Sequence, residues 1–130
     1  MTLHLAILRE PYLSRVLSGE KTIESRFLRI RAAPYGRVAV ADQLLLKRAG
    51  GPIVASARVE RVAEFADLTP HAMTDLIARY ADGLCLDDGF SAQVRDCRYA
   101  VLLWLGEIAL LTDPPPLAKR DRRAWVVLDV

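Results

Sequence analysis

Lys21, Glu24 and Arg26 fall together in the stretch Gly19-Glu20-Lys21-Thr22-Ile23-Glu24-Ser25-Arg26. A cation, a carboxylate and a guanidinium this close can hold a hydrogen-bonding or anionic ligand. Lys21 and Arg26 suit a phosphate or a carbonyl, and Glu24 accepts from a base edge. The same trio can catalyse. A lysine acts as a general base when its pKa falls, and partial burial beside Arg26 pushes that way. Glu24 can position a water. Metal-free hydrolysis would then use Lys21 and Glu24 as acid and base, with Arg26 on the phosphate. The nearest hydroxyls are Thr22 and Ser25, and no histidine is close in sequence to activate either. The plain structural alternative is a Glu24–Arg26 salt bridge that shapes a cleft. Ile23 is the one large apolar side chain in the stretch, so filling a core is not its whole purpose.

The flanking residues say how such a trio would be held. Leu3, Leu5 and Ile7 alternate with His4 and Ala6 as a first strand. Pro11 suits a first helical turn, and Tyr12, Leu13, Val16 and Leu17 recur at helical spacing. Gly19 suits the positive φ of a helix C-cap. The chain then leaves extended, with β-branched Thr22 and Ile23 favouring a strand that ends near Phe27. In that strand Glu24 and Arg26 share a face. Lys21, on the other face but nearest the turn, can swing over the rim to join them.

The run from Leu5 to Arg26 resembles the ASCH domain. The hallmark of that family is Gly-x-Lys-x-x-Glu-x-Arg, matched here by Gly19, Lys21, Glu24 and Arg26. The resemblance runs the length of the chain. It implies a PUA-like β-barrel, a ligand cleft beside the motif, and binding of RNA, other nucleic acid or a modified nucleoside. Some small relatives are amidohydrolases on acetylated cytidine, with a lysine and a threonine nucleophile in the motif. The position aligned with that threonine holds Glu24 here.

Further along, Leu28 to Gly36 reads as a basic loop closing in a Pro34-Tyr35-Gly36 turn, with Tyr35 placed either to stack on a base or to cap the barrel. Val38, Val40 and Leu44 to Leu46 have strand character, interrupted at Ala41-Asp42. Lys47-Arg48-Ala49-Gly50-Gly51-Pro52 is a tight turn. From Ile53 to Val62, Ala55, Ala57 and Val59 share one side of a strand. Thr69 and Pro70 open a helix with Met73 and Leu76 on its apolar stripe. Asp82-Gly83 reads as its end, followed by a short acidic helix containing Phe90 and Val94. Tyr99 to Leu105 is a near-continuous apolar run suited to a central strand, broken at Gly106-Glu107 and extended from Ile108 to Leu111. A basic loop with Arg122 and Arg123 precedes a last strand in which Trp125 is expected to be buried. His4 is read as a strand residue without a catalytic role.

Composition sets the frame. The chain has 130 residues, 52% of them hydrophobic, which suits one domain (residues 1–130) with one filled core and excludes a disordered chain. Net charge is only +2, but it is unevenly spread. Arg9 to Arg37 holds seven basic and three acidic residues, and Glu60 to Asp96 three basic and eight acidic. Such polarity orients an anionic ligand. Cys85 and Cys97 make no disulfide framework or zinc signature, and His4 and His71 are isolated, so no metal and no cofactor are expected. The absence of a leader-like start and of a long apolar run points to a cytoplasmic protein without a membrane partner.

The expected fold is α+β, a PUA-like mixed, mostly antiparallel β-barrel with packed helices. The expected function is binding of single-stranded RNA or a modified nucleoside through Lys21, Glu24, Arg26 and Tyr35, with Lys47, Arg48, Arg122 and Arg123 guiding the backbone. The alternative is a small metal-free hydrolase in the same cleft, an amidohydrolase on acetylated cytidine or a ribonuclease, with Lys21 and Glu24 catalytic. Oligomeric state is left open by the sequence.

Overall fold

The computed structural model describes residues 1–114 and 123–128. The basic loop expected ahead of the last strand therefore lies mostly outside the described residues, Arg122 included. In chain order the elements are β1 (Leu3–Leu8), α1 (Tyr12–Ser18), β2 (Ile23–Leu28), β3 (Gln43–Arg48), β4 (Ile53–Phe65), α2 (Pro70–Arg79), α3 (Ala81–Leu84), α4 (Phe90–Gln93), β5 (Tyr99–Leu110) and β6 (Trp125–Leu128).

The six strands form one sheet in the order β2-β5-β4-β3-β1-β6. β1 and β3 pair in parallel and every other neighbour pair is antiparallel. The architecture is α+β, mixed and mostly antiparallel, and the sheet curls into a half-barrel. Its two edge strands, β2 and β6, do not pair with each other among the described residues. That gap, where a closed barrel would have a ladder, is where the motif strand lies.

The sheet is buried on both faces. One cluster joins Leu13 and Val16 of α1 to Leu44, Leu46, Ala55, Ala57, Val59 and Trp125. The other joins Met73 and Leu76 of α2 to Ile23, Leu84 and Val94. β5 serves both, with Val101 and Leu103 in the first cluster and Ala100 and Leu102 in the second. Burial on both faces is why its sequence is apolar almost without alternation. Ala55, Ala57 and Val59 share one side of β4 as expected, all fully buried. α2 starts where Thr69 caps it, its side chain accepting from Ala72 N at 3.1 Å.

Three expectations from the sequence need correction. Val38 and Val40 do not form a strand: the first residue of β3 is Gln43. The segment before it turns instead, Ala41 taking a positive φ of 78° and Asp42 accepting from Ala39 N at 2.9 Å. A carboxylate bonded to its own backbone a few residues back competes with extended structure. Asp82-Gly83 does not end a helix but lies within α3. Gly83 is there for proximity: its carbonyl accepts from Thr22 N at 3.0 Å, and a Cβ on it would lie 2.5 Å from Ile23 Cδ1. The strand following α4 also runs on through Gly106-Glu107 to Leu110, accommodating them with register shifts against β4 and a positive φ of 48° at Glu107.

Candidate nucleic-acid interface

Gly19 closes α1 in the left-handed conformation, φ 85°, and its N–H donates to Val16 O at 3.1 Å. Lys21 N then donates to Arg15 O at 2.9 Å, so the chain folds back against the helix before β2 begins. This turn puts Lys21 on the same side as Glu24 and Arg26. All three line one cavity of about 560 Å³.

Lys21 is almost fully buried, and its Nζ donates to Leu84 O. The ammonium lies 5.5 Å from the centre of the Tyr12 ring. Burial lowers the Lys21 pKa below the ordinary lysine value, and the nearby Glu24 carboxylate opposes that fall. Glu24 is 5% exposed. Its Oε1 accepts from Ser25 N at 2.8 Å, while its Oε2 has no hydrogen-bond partner among the described residues.

Arg26 spans the seam of the half-barrel. From β2, its Nη2 donates to Ile7 O of β1 at 2.9 Å, and its Nη1 reaches Ala124 O, just before β6, at 3.4 Å. The guanidinium lies 5.2 Å from the centre of the Trp125 ring. Its Nε is buried without a hydrogen-bond partner among the described residues, 3.9 Å from Glu24 Oε1. A loose salt bridge thus leaves one acceptor and one donor unsatisfied in adjacent side chains of the cavity wall. Buried polar groups are rarely left so, and each exception asks for an explanation.

Three aromatic rings join aliphatic side chains in the remaining wall. Tyr12, Phe27 and Phe90 line the cavity, Phe90 packing on Tyr12 at 6.2 Å and on Phe27 at 5.6 Å between ring centres. The segment carrying Phe90 is tied to α1: Arg15 donates to Cys85 O at 3.0 Å and pairs with Asp87 at 2.9 Å.

Beneath Arg26 runs a second buried polar chain. Trp125 Nε1 donates to His4 Nδ1 at 3.2 Å, and His4 Nε2 lies 2.9 Å from Asp42 Oδ2. An indole N–H only donates, so Nδ1 is the bare nitrogen and Nε2 carries the hydrogen given to Asp42. Asp42 also accepts from Thr2 N at 2.9 Å. Burial pushes its carboxyl up, yet the bonds from Ala39, His4 and Thr2 outweigh this and hold it below the ordinary value. His4 is therefore a fully buried strand residue with a structural partner on each nitrogen.

Tyr35, Lys47, Arg48 and Arg123 are not part of the cavity wall, and Arg122 lies outside the described residues. Tyr35 packs edge-on against Tyr99 at 5.4 Å, with Arg31 over both rings. Lys47 donates to Arg48 O at 3.3 Å, and Arg48 pairs with Glu10. Arg123 is exposed beside Ala124, which does line the cavity. The aromatic wall was not singled out from the sequence. Tyr12 reads there as one member of a helical apolar stripe, and nothing local announces that Phe90 packs against it.

No protein-family profile matches the chain, and no curated protein matches it. Solved structures do. The chain is similar to an ASCH protein of Zymomonas mobilis, with a TM-score of 0.72 at 16% identity over 98% of this chain and 88% of that one. A tyrosine-to-phenylalanine variant of that protein gives 0.75 at 15% identity, covering 99% and 91%. A serine-to-alanine variant gives 0.73 at 16%, covering 98% and 89%. Likeness over almost the full length of both partners establishes the architecture: this chain has the fold of the Zymomonas mobilis ASCH protein, an α+β half-barrel.

Proposed function

We propose that residues 1–130 form a single domain that binds single-stranded RNA or a modified nucleoside and takes one base into the cavity at the barrel seam. One observation carries this reading: a buried carboxylate oxygen and a buried guanidinium N–H, both without a hydrogen-bond partner among the described residues, belong to side chains of a cavity that three aromatic rings also line. A base supplies hydrogen-bonding edges for the polar pair and a flat face for Tyr12, Phe27 or Phe90. Lys21 adds a cation, and the cavity volume of about 560 Å³ admits a nucleoside. The ASCH fold is in keeping with such a role. Arg123, with Arg122 before it in sequence, would guide the backbone, together with Lys47, Arg48 and Tyr35. The unbridged cysteines suit a reducing, cytoplasmic setting.

The test is fluorescence anisotropy with a labelled single-stranded RNA decamer across a salt series. Binding that weakens as salt rises, and that Lys21→Ala loses without a lower melting temperature, supports the domain as an RNA binder. Unchanged affinity in Lys21→Ala overturns it.

A second reading rests on the lowered pKa of Lys21. A lysine that gives up its proton more readily suits a general base, and Glu24 beside it could orient a water. This describes a metal-free hydrolase on acetylated cytidine or RNA. Turnover of either substrate by the wild type, lost in Glu24→Ala, would favour it; binding without turnover favours the binding domain.

A further inference from the structure

The charges around the cavity do not balance. Its wall carries Arg9, Lys21, Glu24 and Arg26, three cations against one carboxylate. A deprotonated Lys21 would still leave the cations in excess. Two of the three are committed to the fold. Lys21 is almost fully buried and donates to Leu84 O, and Arg26 donates to Ile7 O and Ala124 O. Arg9 is different. It is exposed, and its guanidinium has no hydrogen bond or ion pair among the described residues. The carboxylate beside it in sequence is spent elsewhere: Glu10 accepts from Ser14 N at 2.9 Å and from Ser14 Oγ at 2.8 Å, and it pairs with Arg48.

The backbone at Arg9 is nonetheless anchored on both sides. Two residues before it, Ile7 O holds Arg26 Nη2 at 2.9 Å. Arg9 O itself accepts from Leu13 N of α1 at 3.2 Å, next to Tyr12, whose ring centre lies 5.5 Å from the Lys21 ammonium. A cation on a fixed backbone, unspent and open to water, in a wall with excess positive charge, suits a phosphate. The guanidinium fork matches phosphate oxygens. The exposed position lets a phosphate keep part of its hydration, which a seat deep in the cavity would strip at high cost.

We infer that Arg9 binds a phosphate of the ligand, so that the cavity takes a nucleotide, free or within an RNA strand, in preference to an uncharged nucleoside. This rests on the proposal that the cavity takes a base at all. The base lies among Tyr12, Phe27 and Phe90, and its phosphate stays at the exposed Arg9. A phosphate contact positions the ligand and carries no base preference.

The test follows binding of a single-stranded RNA decamer across a salt series in the wild type, Arg9→Gln and Arg9→Lys. The common ribonucleosides and their 5′- and 3′-monophosphates are titrated separately. Arg9→Gln should keep the melting temperature, since the side chain holds nothing in the fold. It should weaken the decamer about tenfold, the scale of one hydrogen-bonded charge. The slope of log affinity against log salt should shrink by about 0.7, the share of one phosphate on a single strand. Arg9→Lys keeps the charge and should restore the slope. A monophosphate that binds as tightly as the decamer would identify a free nucleotide as the ligand; much weaker binding would identify RNA. An unchanged salt slope in Arg9→Gln overturns the phosphate inference and leaves base binding standing. If only the small ligands bind, a monophosphate should exceed its nucleoside about tenfold in the wild type and match it in Arg9→Gln, and equal affinity in the wild type overturns the inference. If nothing binds, the base-binding proposal falls with it.

Discussion

Arg26 Nη2 and Ile7 O, 2.9 Å apart, join the edge strand β2 to β1 across the open side of the half-barrel. Among the described residues no backbone ladder crosses there. One side chain does part of the work of a strand pairing, and it does so with a group whose remaining N–H belongs to the cavity wall. Fold closure and the proposed ligand recognition would therefore share Arg26. Arg26→Lys tests the sharing. Lysine keeps the charge but offers no fork to reach both Ile7 O and Ala124 O. We expect a loss of about 2 kcal/mol in stability, the scale of a charged hydrogen bond left unmade, read from the urea midpoint. An unchanged midpoint would show that the seam closes without it.

Asp42 should act on the cavity from a distance. It holds His4, His4 holds Trp125, and the Trp125 ring supports the Arg26 guanidinium. Asp42→Ala leaves His4 Nε2–H and the N–H groups of Thr2 and Ala39 unpaired in or near the core. The expected cost is about 3 kcal/mol, typical of breaking a buried polar pair. The sign of the pH dependence follows from the lowered carboxyl pKa. The Asp42 contribution is complete above the ordinary value of 3.8 and is lost as pH falls below it through the folded-state pKa. Melting curves of wild type and Asp42→Ala should therefore converge as the pH is taken down through this range. Curves that stay parallel would remove Asp42 from the acid response.

Much of this arrangement was legible from sequence where local chemistry decides. Gly19 as a C-cap, Thr69 and Pro70 as a helix start, and Ala55, Ala57 and Val59 on one face all follow from backbone geometry and period. The grouping of Glu24 with Arg26 followed from strand alternation. The rest depended on contacts between distant segments. Gly83 looked like a helix end because glycine usually marks one, whereas tight packing against Ile23 required it. Val38 and Val40 looked like strand residues, but Asp42 holds that segment in a turn through bonds that reach back to Ala39, Thr2 and His4. Phe90 joins the cavity wall through long-range contacts, its ring on Tyr12 and Phe27 and the Arg15–Asp87 pair, 72 residues apart, that anchors the loop before it.

The contact of α3 with the motif can be tested through its glycine. Gly83→Ala places a Cβ 2.5 Å from Ile23 Cδ1 and 3.1 Å from Thr22 Oγ1. Ile23 is itself buried, so α3 has to shift, at a cost of about 2 kcal/mol. That shift moves Leu84 O away from Lys21, so RNA affinity should fall together with stability. Gly19→Ala is the control. Its site has open space and only the positive φ resists, so it should cost about 1 kcal/mol. Equal stability of the Gly83→Ala protein and the wild type in chemical denaturation would mean that α3 does not press on the motif.

Lys21 supplies a prediction that needs no ligand. Its pKa is lowered in the folded chain from the ordinary 10.5, because burial disfavours the ammonium. Between the folded-state pKa and 10.5 the unfolded chain holds the proton more tightly, so unfolding becomes harder as pH rises through that window. Below the window the cost of burying the charge is felt in full. Lys21→Met removes the titrating group and keeps much of the side-chain volume. The difference in unfolding free energy, wild type minus Lys21→Met, should therefore climb with pH across the alkaline range. A difference that falls instead would mean that Glu24 and Leu84 O favour the ammonium by more than burial penalises it. Lys21 would then be a fixed cation holding a ligand carbonyl, and the general-base reading would lose its physical basis.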